Sequence, residues 1–141
     1  MADAGIDLTA LKVGDRLPIV THGPLRRGDL ALFAGGSHDH MFLHIHSDFA
    51  KAAGMEDVFA QGMLSMAFLA QVFTDVMPQS HLKTWSVRFL AITPLFATVT
   101  CKGEVTEVFE EASQRYARIK VSAEVDKGVR TIVGDAVVLI S

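Results

Sequence analysis

The segment from Ser37 to His46 reads Ser-His-Asp-His-Met-Phe-Leu-His-Ile-His and gathers four of the chain's six histidines with one carboxylate. Three kinds of chemistry are compatible with such a run. The first is metal ligation. His44-Ile45-His46 has the spacing of a ligand pair on a strand, and His40 with His44 has the i, i+4 spacing of a pair on a helix. A catalytic metal also needs a third protein ligand at a fixed place, and the next Glu along the chain is Glu56. The second is structural, because such residues in loops cap helices and bond to backbone. His22, His38 and His81 are read that way. The third is general acid–base work. A carboxylate and an imidazole a few residues apart, Asp39 and His44, can hold one water between them and divide its proton transfers.

The surrounding pattern bears on that third kind. The run Asp39-x4-His44-x4-Phe49-Ala50, followed by Ala60-x-Gly62-Met63-Leu64 at the head of a long apolar stretch, resembles the MaoC-like (R)-specific enoyl-CoA hydratases. Their pattern reads approximately S-G-D-x-N-P-[IL]-H-x-D and then A-H-G-M. The resemblance runs without a gap from Leu32 to Leu64, and in general shape to the end of the chain. It implies a hot-dog fold, a dimer, and hydration of a trans-2-enoyl thioester. It places the catalytic aspartate on Asp39, the catalytic histidine on His44 and the oxyanion-binding glycine on Gly62. The leading reading is such a hydratase, or the reverse dehydratase, a homodimer acting on a thioester of CoA or acyl-carrier protein with no metal and no tightly held cofactor. The chain departs from the pattern with His38 for Gly, Met41-Phe42 for Asn-Pro, His46 for Asp and Gln61 for His. Phe96-Ala97 also stands where a Gly-Asp pair is common.

Hydration of an alkene conjugated to a carbonyl makes three demands. A base takes a proton from the attacking water, an acid protonates the α-carbon, and something stabilises the enolate charge that builds on the thioester oxygen. Backbone N–H groups at a helix N-terminus serve the third purpose, and glycine there lets a ligand approach closely. Gly62, opening the stretch to Met77, suits it. Met41, Phe42, Gln61 and Met63 neighbour these groups and are the candidate substrate contacts. Each also has a plainer reading, as local packing, a loop hydrogen bond or core. Met41 and Phe42, apolar beside His44, favour bulky or hydrophobic acyl groups. Lys83, Arg88 and Lys102 are candidates for the CoA phosphates. A hot-dog thioesterase is the nearest rival enzyme, but it would set an acid on or beside the central helix, where this chain has only Asp75 near the far end. A non-catalytic acyl-CoA-binding or hetero-oligomer subunit of the same fold is the rival from another class.

The elements that must position these residues are legible from periodicity. Residues 16 to 21 read as a short strand, 27 to 35 as a helix stopped by Gly35-Gly36, and 48 to 54 as another short helix ended by glycine. Residues 62 to 77 are apolar nearly all round, the mark of a buried helix, with Pro78 closing it. Then the period changes. Residues 82 to 93, 98 to 109, 115 to 126 and 130 to 140 are rich in Val, Ile, Thr and aromatics, with short turns between them. Consecutive strands with short connections predict an antiparallel meander. The expected class is α+β: a single hot-dog domain over 1–141, its antiparallel sheet wrapped around a long central helix at about 62–77.

Composition narrows the classes further. The chain has 141 residues, half of them apolar, enough for one core. A formal charge of −3 and scattered basic residues disfavour a nucleic-acid partner. One cysteine, Cys101, permits no internal disulfide and fits a reducing compartment. It sits in an alternating stretch and is read as a strand residue. Met1-Ala2-Asp3-Ala4 carries no basic or apolar leader, and no stretch approaches the ~20 apolar residues of a membrane span. A cytoplasmic location, with no membrane partner, is the expectation.

Overall fold

The structure is a computed structural model that describes residues 6–141. The leader expectation, which falls on Met1 to Ala4, lies outside the described residues. The elements in order are β1 (Val20–His22), α1 (Arg27–Ser37), α2 (Phe42–Ile45), α3 (Ser47–Ala52), α4 (Gly62–Thr74), β2 (Leu82–Phe89), β3 (Val99–Glu111), β4 (Gln114–Val125) and β5 (Val129–Leu139). The strands form one antiparallel sheet in the order β1-β3-β4-β5-β2. Tight turns join β3 to β4 and β4 to β5, and so set the pairing Cys101 to Ala123 and Ala123 to Ile132. The last three strands alternate buried and exposed residues over much of their length, as one covered face requires.

That covered face holds Val99, Cys101, Val105, Ile119, Val121, Ile132 and Val138, and α4 supplies its other half through Leu64, Leu69, Val72 and Phe73. The sheet curls around α4 in the hot-dog arrangement. Gly103 is where helix and sheet come closest: a Cβ there would stand 2.9 Å from a Val72 methyl, so a larger residue would push α4 off the sheet. Phe73 meets Trp85 of β2 edge to face at 5.8 Å between centroids. Burial of Cys101 pushes its thiol up to about 12, which leaves it an inert core residue. No helix among the described residues is long and apolar enough to cross a membrane.

Several expected boundaries are corrected. The first strand covers only Val20–His22 instead of 16 to 21. Pro18 has no N–H for the ladder, and Arg16 makes just an isolated bridge to Glu104. Helix α1 does not stop at Gly35-Gly36 but runs through them to Ser37. His38 ends it in the left-handed region, at φ 63°, a conformation that glycine adopts without strain. The difference from the family pattern at this position is therefore a side chain placed on a glycine-type backbone turn. Helix α3 spans Ser47–Ala52, shorter than expected, with Gly54 beyond it at φ 88°. Helix α4 ends at Thr74, before residue 77, where the Val76 N–H turns to the Phe73 carbonyl three residues back instead of continuing the i→i−4 ladder. Strand β2 stops at Phe89 rather than 93, and the chain then turns so that the Thr93 carbonyl accepts from the Ala60 N–H. The four-residue helix α2 was not anticipated, and it carries His44.

Candidate active site

His44 is half-buried near the end of α2, and its Nδ1 lies 2.7 Å from the Phe59 carbonyl oxygen. A carbonyl only accepts, so Nδ1 carries the hydrogen, and the neutral ring presents its lone pair on Nε2. The Phe59 N–H in turn donates to the Leu43 carbonyl at 3.4 Å, and the two rings meet edge to face at 5.0 Å. The 43–44 step and Phe59 thus grip each other from both sides. Three residues after Phe59 the chain enters α4 at Gly62. The imidazole is fixed to the segment that opens the central helix.

That opening is uncapped. Gln61 makes no side-chain hydrogen bond to the first turn, and its carbonyl accepts from the N–H groups of Leu64 and Ser65. The N–H groups of Gly62 and Met63 have no partner among the described residues. They are the free donors at the positive end of the helix dipole. Gly62 is exposed and lines a cavity of about 320 Å³ with Ser65, Phe89 and Thr93. A Cβ on Gly62 would come 3.2 Å from the Phe89 ring. Ser65 and Thr93, both buried, close the back of this cavity through a 3.0 Å hydroxyl pair.

Asp39 is half-buried in the turn between α1 and α2. Its N–H donates to Ser37 Oγ at 3.3 Å, and its Oδ1 accepts weakly from the Met41 N–H at 3.4 Å. No cation pairs with it among the described residues. Its carboxylate is left with acceptor capacity for a water.

The other sequence candidates fall differently. Met41, Phe42 and Met63 are exposed, and Phe42 packs edge-on against Phe49. Gln61 is fully buried and turned toward α1, where its Nε2 donates to the Leu30 carbonyl at 3.0 Å while its Oε1 has no partner. It joins the helix that leads to Asp39 to the helix that begins at Gly62. His44 and His46 do not converge as a ligand pair, since His46 Nδ1 accepts from the Phe49 N–H and caps α3. Among the described residues no group of three or more His, Cys, Asp or Glu stands together as a metal set. His81 bonds the Leu139 carbonyl. Of the suggested phosphate contacts, Lys102 is paired with Glu124 and Lys83 with the Ser80 carbonyl. Arg88, next to Phe89, has no hydrogen-bonding partner among the described residues.

One component had no sequence signal. Asp57 accepts from the Arg27 guanidinium, the Ser47 hydroxyl and the Val58 N–H, which ties the starts of α1 and α3 to the segment that holds His44. The Arg27 guanidinium foremost, then Ser47 and the Val58 N–H, hold the Asp57 carboxyl well below the usual carboxylate range. A depressed carboxylate contributes stability above its unfolded value of about 4 and loses it as pH falls from there toward the folded value. The melting-temperature gap between wild type and Asp57→Asn should therefore narrow as pH drops below about 4. A gap constant from neutral pH to pH 3 would contradict this.

A family model described as the MaoC like domain matches residues 10–128. The unliganded R-hydratase PhaJ1 from Pseudomonas aeruginosa superposes with a TM-score of 0.83 at 23% identity, over 96% of this chain and 85% of that one. The (R)-hydratase from A. caviae involved in PHA biosynthesis gives 0.78 at 25% identity, over 94% and 98%. A MaoC-like dehydratase gives 0.86 at 27% identity, over 96% of this chain and 42% of that one. No curated protein sequence matches the chain.

Proposed function

The chain belongs to the MaoC-like dehydratase family, and on that premise we propose that it adds water to a 2-enoyl thioester, most readily of CoA, or removes it from the 3-hydroxyacyl product. The observation that carries the reading is the His44 Nδ1 bond to the Phe59 carbonyl, which fixes a lone pair on Nε2 next to the segment opening α4. In this reading Asp39 and His44 Nε2 hold one water. As the oxygen attacks the β-carbon, the pair takes one proton from the water and then delivers that proton to the α-carbon, so that both groups return to their starting state. The Gly62 N–H donates to the thioester oxygen as enolate charge develops there. Arg88, beside Phe89, is the candidate contact for the CoA phosphates.

The acyl preference follows from Met41 and Phe42, whose exposed apolar side chains stand where the family pattern has Asn-Pro. Each CH₂ buried against them contributes roughly 0.8 kcal/mol. A panel of enoyl-CoA esters of increasing length and bulk should give an optimum beyond the four-carbon ester. A clear optimum at four carbons contradicts that assignment.

The same reading makes the protein a homodimer. Strand β2 is a sheet edge, and Phe89, Leu90, Ile92 and Phe96 at and beyond its end are all about half exposed or more. Light scattering at micromolar concentration should give twice the chain mass, and a monomer would contradict the dimer.

A further inference from the structure

A cavity of about 770 Å³ lies between β1, α1 and α4 and is a different one from the cavity at Gly62. Its size suits a small-molecule group. It begins beside the proposed reacting groups. Ser37, on its wall, accepts the Asp39 N–H, and Leu64, also on its wall, follows Gly62 by two residues. Leu25, Phe33 and Phe68 make much of the rest apolar. Phe68 comes six residues after Gly62, roughly 9 Å along the helix axis at 1.5 Å per residue. There it stacks on the His22 ring at 4.1 Å between centroids, with 15° between the planes.

His22 is one of the polar residues of this wall, with Arg26, Asp29 and Ser37. Its Nε2 lies 2.7 Å from Gln71 Oε1, and Gln71 is not part of the cavity lining. An amide oxygen only accepts, so Nε2 carries the hydrogen and the neutral ring keeps a lone pair on Nδ1. Nδ1 has no partner among the described residues. A plain alkyl chain filling the cavity would strip water from that acceptor and return nothing, whereas a hydroxyl would satisfy it.

We propose that this cavity takes the far part of the acyl chain, beyond the part that lies against Met41 and Phe42, and that His22 selects a chain bearing a hydroxyl several carbons beyond the reacting double bond, by accepting a hydrogen bond from it at Nδ1. Gln71 is the positioning residue that fixes the tautomer. The identity of the ligand as a thioester rests on the hydratase reading, while the preference for a hydroxyl rests on the geometry of His22.

The test uses pairs of medium-chain CoA esters identical but for a hydroxyl toward the far end of the chain. Each pair is prepared as the 2-enoyl ester for turnover and as the saturated ester for direct binding by calorimetry. Wild type should favour the hydroxylated member about 3- to 10-fold in kcat/KM and in affinity, the worth of one neutral hydrogen bond. His22→Phe keeps the stack on Phe68 and removes both ring nitrogens, so it should bring the ratio close to one. A wild-type ratio near one overturns the proposal without any variant, and so does a folded His22→Phe that keeps the preference. Turnover absent from every enoyl ester, with the binding ratio intact, would overturn the hydratase reading and leave this inference standing. Failure of both saturated esters to bind would overturn the inference.

Discussion

Asp39→Asn and His44→Asn should each lower turnover of an accepted enoyl-CoA by about 10²- to 10⁴-fold, the usual range for a general acid–base group. Asparagine at 39 keeps the shape of aspartate and its Oδ1 acceptor for the Met41 N–H, but takes no proton from water. The choice at 44 follows from the local structure. His44 does not lie in a free loop: it sits on α2 and tethers that helix to Phe59, so alanine would remove a structural bond along with the base. The amide nitrogen of asparagine falls near the position of Nδ1 and can donate to the Phe59 carbonyl, while nothing replaces Nε2. His44→Ala should lose as much turnover and some thermal stability besides. If the two groups hold the same water, the double variant is little worse than either single one, because residues acting as a unit are non-additive. Folded single variants with near-normal turnover would remove both from the mechanism and favour a binding subunit.

A comparably large effect is expected at Gly62, where two substitutions separate the N–H from the space around it. Gly62 is the first residue of α4, a position proline tolerates because the N–H there has no partner in the helix. Gln61 ahead of it is extended, at φ −56° and ψ 136°, as the residue before a proline prefers. Gly62→Pro therefore removes the proposed oxyanion donor and leaves α4 in place. Gly62→Ala keeps the N–H and adds a similar Cβ, 3.2 Å from the Phe89 ring, which is half exposed and has room to move. Proline should lower kcat by about 10²- to 10³-fold, the cost of losing one oxyanion donor, and alanine by clearly less. Equal losses would assign the effect to crowding at Phe89.

How far the sequence reached depended on the range of each signal. The central helix and the four long strands were legible because their hydrophobic periods persist over many residues, and their bounds moved by at most four residues. Helix α2 was not legible: four residues, two of them Leu43 and His44, give no period to read. The glycine stop at Gly35-Gly36 misled because a helix tolerates glycine at modest cost, and the left-handed turn fell on His38. At the site, Asp39, His44 and Gly62 could be named from spacing, but the group that orients His44 is a backbone carbonyl, which has no sequence signature. Long-range partners were equally hidden. Arg27 and Asp57 lie 30 residues apart, and His22 and Gln71 lie 49 apart. Gln61, named as a neighbour of Gly62, turns inward to Leu30, a direction that only packing decides.

The account stands most directly on whether the purified protein adds water to a 2-enoyl-CoA. Loss of the conjugated-enoyl absorbance, followed in the presence of a chelator and with chiral analysis of the product, measures this in one experiment. The account predicts steady turnover to a single enantiomer of the 3-hydroxyacyl-CoA, abolished in Asp39→Asn. No turnover of short, medium or bulky enoyl esters by folded wild-type protein would contradict it.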